Sequence, residues 1–246
     1  AEKEPAIGAW AWHDPEFVLK QAAALDALRA SGRPVGPLHG LPVGIKDIID
    51  TVRIPTENGT VIDAGRVPIR DAWIVSRLKA AGAVIMGKTV TTELALFAPP
   101  RTRNPHDTSR SPGGSSSGSA AAVAARMVPL AIGTQTAGSV IRPAAYCGVT
   151  GFKPSFGAIP RTGVLQQAPS LDTIGVFART PEEAALLAEV LFGDDAADPA
   201  TAPAPPPRLL ATASSDVPVR PDIAFVPPPG WHLADEEMRA AFAELR

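Results

Sequence analysis

Residues 111–157, SPGGSSSGSAAAVAARMVPLAIGTQTAGSVIRPAAYCGVTGFKPSFG, carry two serine and glycine clusters, at 113–119 and 134–139, separated by an alanine-rich run and a short apolar segment. Glycine adds no Cβ and tolerates unusual dihedrals, so such clusters bring backbone N–H groups and hydroxyls close to a bound group. Flexible linkers share this composition. A linker, however, is not followed at once by strong helix formers, and residues 120–126, Ala-Ala-Ala-Val-Ala-Ala-Arg, have high helix propensity. Residues 128–132, Val-Pro-Leu-Ala-Ile, predict a buried strand ended by Gly133. Each cluster is therefore expected to sit against a regular element, as a reaction site requires.

Upstream, residues 43–49, Val-Gly-Ile-Lys-Asp-Ile-Ile, predict a mostly buried strand with Lys46 in its middle. Lysine is almost never fully buried without a partner. Two roles are open to it: an ion pair with Asp47 or Asp50, or a general base. The second needs a pKa brought from ~10.4 to near neutrality, at a cost of about 4 kcal/mol. Burial acts in that direction, because desolvation disfavours the ammonium form. Strand alternation would point Asp47 to the other face, where it would not oppose the change.

The rest of the chain alternates helices and strands. Asp14-Pro15-Glu16 predicts a helix start, and Val18, Leu19, Ala22, Leu25 and Leu28 form its apolar stripe. A second helix is expected over 71–81, capped by Asp71 and closed by Gly82. Residues 82–89, Gly-Ala-Val-Ile-Met-Gly-Lys-Thr, match the nucleotide P-loop pattern letter for letter. Their interior is apolar where a phosphate cradle needs a polar, flexible loop, so they predict a strand instead. Residues 97–112 predict a surface loop, and Thr180-Pro181-Glu182-Glu183 opens a helix running to about Phe192. Residues 222–226 predict one more strand and 235–245 a last helix. The expected organisation is a core over 1–193, a proline- and alanine-rich connection over 194–220, and the start of a further segment of the same fold over 221–246. These elements predict an α/β layered fold with a central, mixed, mostly buried β-sheet flanked by helices.

With 246 residues, 45% of them apolar, the chain can bury one substantial core. A net charge of −2 without a basic run indicates neither nucleic acid nor an anionic membrane as partner. The single cysteine, Cys147, excludes an internal disulfide and offers no metal-ligand cluster. No apolar run reaches bilayer length and residues 1–5 lack a secretion-signal pattern, so a cytoplasmic location is expected.

Serine becomes a nucleophile only when a neighbouring base takes its proton. Of the four histidines, His13, His39, His106 and His232, only His39 lies near a candidate strand, so a Ser-His-Asp arrangement has little support. Lys46 is the stronger candidate base.

Three motifs carry a resemblance. LHGLPVGIKDIIDT at 38–51, GGSSSGSAAAVAA at 113–125 and PLAIGTQTAGSVIRPAAYCGVTGFKPSFG at 129–157, in this order, resemble the amidase signature family of serine hydrolases, over nearly all of residues 5–193. The resemblance implies a Ser–cis-Ser–Lys triad: Ser139 as nucleophile, Ser115 as the bridging serine after a cis peptide bond, and Lys46 as base. It implies an oxyanion hole of backbone N–H groups at Thr136, Ala137, Gly138 and Ser139, and no metal or organic cofactor. The activity implied is hydrolysis of a small-molecule amide through an acyl-enzyme, releasing ammonia or an amine and a carboxylate. An amidotransferase component passing ammonia to a partner, a non-catalytic module on the same scaffold, and a homodimer all stay open.

Two departures stand out. Ala137 occupies a position where the family has glycine, and family members extend well beyond residue 246, so the fold is expected to be incomplete at its C-terminus. Residues 138–143, Gly-Ser-Val-Ile-Arg-Pro, are similar to those of malonamidase-like amidases, which act on small amides bearing a carboxylate. That likeness makes Arg142 a candidate substrate-binding residue, the alternative being an ion pair with an acid such as Asp172. Asp172 also falls on a family motif and is expected to be a structural hydrogen-bonding group.

Overall fold

The computed structural model describes residues 2–244. The chain divides into two compact units, one ending at Ser214 and one beginning at Ser215. Along the first unit run α1 (Glu4–Ile7), β1 (Trp10–Trp12), α2 (Pro15–Ala30), β2 (Pro42–Lys46), α3 (Trp73–Ala80), β3 (Val84–Thr89), α4 (Ser117–Ala124), β4 (Leu130–Gln135), α5 (Ile141–Cys147), β5 (Thr150–Phe152), β6 (Thr173–Ala178), α6 (Pro181–Leu191) and α7 (Leu209–Ala213). Among the described residues the sheet has six strands in the order β1-β3-β2-β4-β6-β5. The pairings of β2 with β3 and β4 are parallel and the others antiparallel, so the sheet is mixed and the α/β reading holds.

Both faces of the sheet are covered, which is why its central strands are almost continuously apolar. Ile45, Ile85, Ile132, Ile174 and Val176 pack in one layer with Ile74 and Leu78 of α3 and Leu187 of α6. Ala131 and Phe177 face the other layer, formed with Ala120, Ala121 and Val123 of α4. Small residues let α4 settle directly on backbone: a Cβ at Gly118 would stand 2.3 Å from the Ala9 carbonyl oxygen.

The helix starts follow local chemistry. Asp14 accepts from the N–H groups of Glu16 and Phe17, and Thr180 caps α6 through Glu183 N. In α2, Phe17, Val18, Ala22, Leu25 and Leu28 are half-buried, while Leu19, expected on the inner stripe, points to solvent. Gln21 lies on the inner face instead. Its amide exchanges two 3.0 Å hydrogen bonds with the Ile85 backbone, completing the part of β3 that short β1 leaves unpaired.

Several expectations need correction. Asp71 does not cap α3, which starts at Trp73; it accepts from Val52 N and pairs with Lys79, both at 2.8 Å or less. Residues 222–226 form no strand. The expected strand over 43–49 stops at Lys46, because the chain turns there and Ile49 N donates to the Lys46 carbonyl at 3.0 Å. Lys46 therefore ends a strand and does not sit mid-strand. The P-loop-like segment is β3, with Lys88 buried inside it.

Past α6 the first unit continues, its last segment fixed by side chains. Arg161 grips buried Asp198 through Nε and Nη2 at 3.0 and 2.8 Å, and Leu210 N donates to Glu189 at 3.0 Å. The second unit contains α8 (Glu236–Glu244) and a small aromatic cluster of Phe225, Trp231 and Phe242. No helix among the described residues is long and apolar enough to cross a membrane.

Candidate active site

β2 and β4 run parallel, so their carboxyl ends bring Lys46 and Thr134 to the same edge of the sheet. The Lys46 ammonium is fully buried, with Nζ 2.7 Å from Ser115 Oγ and 2.8 Å from Thr134 Oγ1. It pairs with no carboxylate among the described residues. The ion pair considered for it goes elsewhere on both counts: Asp47 lies 3.8 Å from Lys88, and Asp50 grips Arg66 at 2.7 and 3.0 Å. Burial draws the Lys46 pKa down to about 7, against the opposing charge of Asp172.

The first serine cluster is wholly ordered by hydrogen bonds. The peptide bond between Gly114 and Ser115 is cis. Thr92 N donates to the Ser115 carbonyl at 3.1 Å, and Ser116 N to the Ser139 carbonyl at 3.4 Å. Ser116 Oγ bridges the backbone of Thr134 in both directions at 3.2 Å. Ser117 Oγ donates to Gly113 O at 2.7 Å, and Ser119 Oγ to Ile132 O at 2.9 Å. All of Ser115, Ser116, Ser117 and Ser119 are buried, which no linker would be.

The second cluster forms a tight loop between β4 and α5. Gln135 holds it from within: Oε1 accepts from Val140 N and Ile141 N at 2.9 and 3.0 Å, and Nε2 donates to Ala137 O at 2.9 Å. Thr136 Oγ1 donates to Asp172 Oδ1 at 2.5 Å and contacts Gln167 Oε1 at 3.0 Å. Neither Ala137 nor Gly138 has a positive φ, so alanine is accommodated where a glycine was expected. The N–H groups of Ala137, Gly138 and Ser139 donate to no other described residue. Ser139 is nearly buried, and its hydroxyl makes no hydrogen bond among the described residues, with Ser115 or any other.

Arg142 does not pair with Asp172. Its Nε donates to Gly114 O at 3.1 Å, and its guanidinium lies beside Gly138, with the terminal nitrogens unpaired among the described residues. Asp172 instead accepts from Thr136, Gln167 N and Ala168 N, a structural hydrogen-bonding group as expected. His13 and His106 each give a ring nitrogen to a main-chain carbonyl, and no histidine hydrogen-bonds a serine among the described residues.

Residue-by-residue reading of the chain leaves Thr134, Gln135 and Gln167 without a role. Thr134 carries a signal, a polar side chain directly after the apolar start of β4. Gln167 carries none, because its partners Leu94 and Thr136 are remote in the chain.

With the cis-serine loop, the buried lysine and the sheet in place, the match to known proteins has a structural meaning. The chain belongs to the amidase family, whose pattern matches residues 1–246, and specifically to its amidase signature proteins. It is 44% identical over 220 residues to the A subunit of glutamyl-tRNA(Gln) amidotransferase from Chloroflexus aggregans, covering 87% of this chain and 45% of that one. It is 48% identical over 208 residues to the protein of the same name from Salinispora arenicola, covering 81% and 42%. Among solved structures it resembles the peptide amidase of Stenotrophomonas maltophilia, with a TM-score of 0.79 at 40% identity over 85% of this chain and 45% of that one. The chain thus spans about half the length of the relatives it matches.

Proposed function

We propose that this chain carries the serine centre of an enzyme that takes ammonia from a carboxamide and delivers it to a partner, in the manner of the amidase component of an amidotransferase. The observation that carries the chemistry is Lys46. It is a buried amine drawn to about 7, without a carboxylate partner, 2.7 Å from the hydroxyl of a cis-linked serine. An amine that is neutral near physiological pH is a competent general base.

In this reading Ser139 Oγ attacks the amide carbonyl carbon, its proton passes to Ser115, and Ser115 gives its own proton to Lys46. Thr134 accepts a hydrogen bond from the amine and so orients the Nζ lone pair toward Ser115. The backbone N–H groups at 136–139 hold the developing oxyanion. The proton returns through Ser115 to the leaving nitrogen as the C–N bond breaks, and water then hydrolyses the ester on Ser139, releasing the carboxylate. Arg142, anchored through Nε, keeps its terminal nitrogens for a carboxylate on the donor, which suits an amino-acid amide.

Delivery to a partner is favoured by the curated relatives at 43–48% identity, which are amidotransferase subunits. A stand-alone amidase acting on small or peptide amides is the second reading, supported by the peptide amidase structure. Ammonia release from glutamine and asparagine, measured with and without copurifying subunits and an activated acceptor, separates them. Release stimulated by acceptor supports the first reading, and full release by this protein alone supports the second. Loss of all release in Ser139→Ala and Lys46→Ala is expected under both; full activity in Lys46→Ala would eliminate the base.

A further inference from the structure

We infer that Gln135 is a positioning residue that selects which backbone N–H groups meet the reacting carbonyl; this rests on the serine centre proposed above. Its side chain is buried, 7% exposed, and both ends of the carboxamide are engaged. Oε1 takes the N–H groups of Val140 and Ile141, which open α5 and have no helical acceptor of their own. Nε2 takes the carbonyl of Ala137.

The third bond has a directional consequence. The peptide joining Ala137 and Gly138 is trans, so its C=O and N–H point in opposite directions. Drawing the Ala137 carbonyl onto Gln135 turns the Gly138 N–H away from it. One peptide later, the Gly138 carbonyl accepts from Arg142 N at 2.9 Å, which turns the Ser139 N–H away from α5. These two donors, like the Ala137 N–H before them, have no acceptor among the described residues, and they are the N–H of the nucleophile candidate and of the residue preceding it. A glutamate at 135 could still accept from Val140 and Ile141, but an ionised carboxylate has nothing to donate to Ala137. Glutamine is the side chain of this length that does both.

Gln135→Glu separates the two functions of the side chain. The expected result is a kcat lower by ~100-fold, the size of effect seen when an oxyanion donor is lost. KM for the carboxamide should stay within about twofold, since the ground-state carbonyl gains little from these donors. Affinity for a trifluoromethyl ketone, which forms an oxyanion on the attacking serine, should fall in parallel with kcat. The urea midpoint should hold, which a merely structural role would not allow alongside the kcat loss. An unchanged kcat, or a loss tracked by the midpoint, would overturn the inference.

A structure of the wild-type protein with the ketone bound covers the case in which the variant does not fold. The oxyanion should lie within hydrogen-bond distance of the N–H of Gly138 or Ser139 while Ala137 O stays on Gln135. An oxyanion touching neither overturns the inference. Labelling by a fluorophosphonate distinguishes the levels of failure: no adduct on wild-type Ser139 removes the serine centre and this inference with it. An adduct together with an unimpaired Gln135→Glu removes this inference alone.

Discussion

Lys46 and Lys88 leave the sheet on opposite faces although they sit on adjacent parallel strands, because Lys46 stands opposite Thr89 and Lys88 opposite Ile45. Both ammonium groups are fully buried. Lys88 is met by Asp47, by the Ile49 carbonyl and by Thr56, whereas Lys46 is met only by two hydroxyls. Burial lowers both pKa values and a carboxylate opposes it in each case, Asp47 for Lys88 and Asp172 for Lys46, but only Lys88 has its carboxylate within ion-pair distance among the described residues. One lysine is held in an ion pair, and the other has only hydroxyls around it.

For Lys46 the sign of the pH dependence follows from the direction of its shift. Its pKa in the folded chain is about 7, below the ordinary 10.5, so between these values the unfolded chain binds a proton that the folded chain lacks. Stability from this group is fully present above about 10.5, falls as pH drops toward about 7, and levels off below. Urea unfolding of wild type and Lys46→Met, compared across that window, should show the variant gaining on wild type as pH falls. Amide turnover by wild type should rise with pH through about 7. A profile flat from pH ~6 to ~8 would contradict a lysine base.

Lys88 and Asp47 should behave as a coupled buried pair. Either Lys88→Met or Asp47→Asn alone leaves one buried charge without its partner, expected to cost about 3 kcal/mol. The double variant should cost less than the two singles added together by at least ~1 kcal/mol. Strict additivity in denaturant unfolding would show that the 3.8 Å approach carries no coupling.

Two glycines near the centre should respond differently to alanine. At Gly133 a Cβ would stand 2.5 Å from Ser116 Oγ and 2.7 Å from the Phe177 ring, with no room on either side. Gly133→Ala is expected to cost about 1–3 kcal/mol and to impair turnover by shifting the serine cluster. At Gly138 the nearest atom, Cζ of Arg142, is 3.8 Å away and φ is not positive. Gly138→Ala should keep stability within ~0.5 kcal/mol, measurable by thermal unfolding.

Arg142 is testable by substrate charge. If its terminal nitrogens hold a donor carboxylate, Arg142→Ala should raise KM for a malonamate-like amide by ~10–100-fold, the ~1.5–3 kcal/mol of a charged hydrogen bond. The uncharged analogue should be unaffected. Equal loss on both substrates would assign the residue to holding Gly114 in place.

Local physics is legible in the order of the residues alone. The caps at Asp14 and Thr180, the strand hidden in a P-loop pattern, and the ordering of both serine clusters against regular elements all depend on neighbours a few residues apart. Burial of Lys46 is legible too, since its apolar flanks force the ammonium out of water and demand a partner.

The resemblance to a family names Ser115 as the partner of Lys46, but the physical reason the two meet lies in the tertiary structure. Ser115 is 69 residues away in the chain, and Thr134 comes into reach because β2 and β4 pair in one particular parallel register. The same holds for Arg142, which turns to Gly114 and not to Asp172, and for Asp71, drawn to Val52 and Lys79 instead of to a helix end. Periodicity assigns a side chain to a face. Strand register and loop closure, which sum contributions from the whole chain, decide which polar atom stands opposite it.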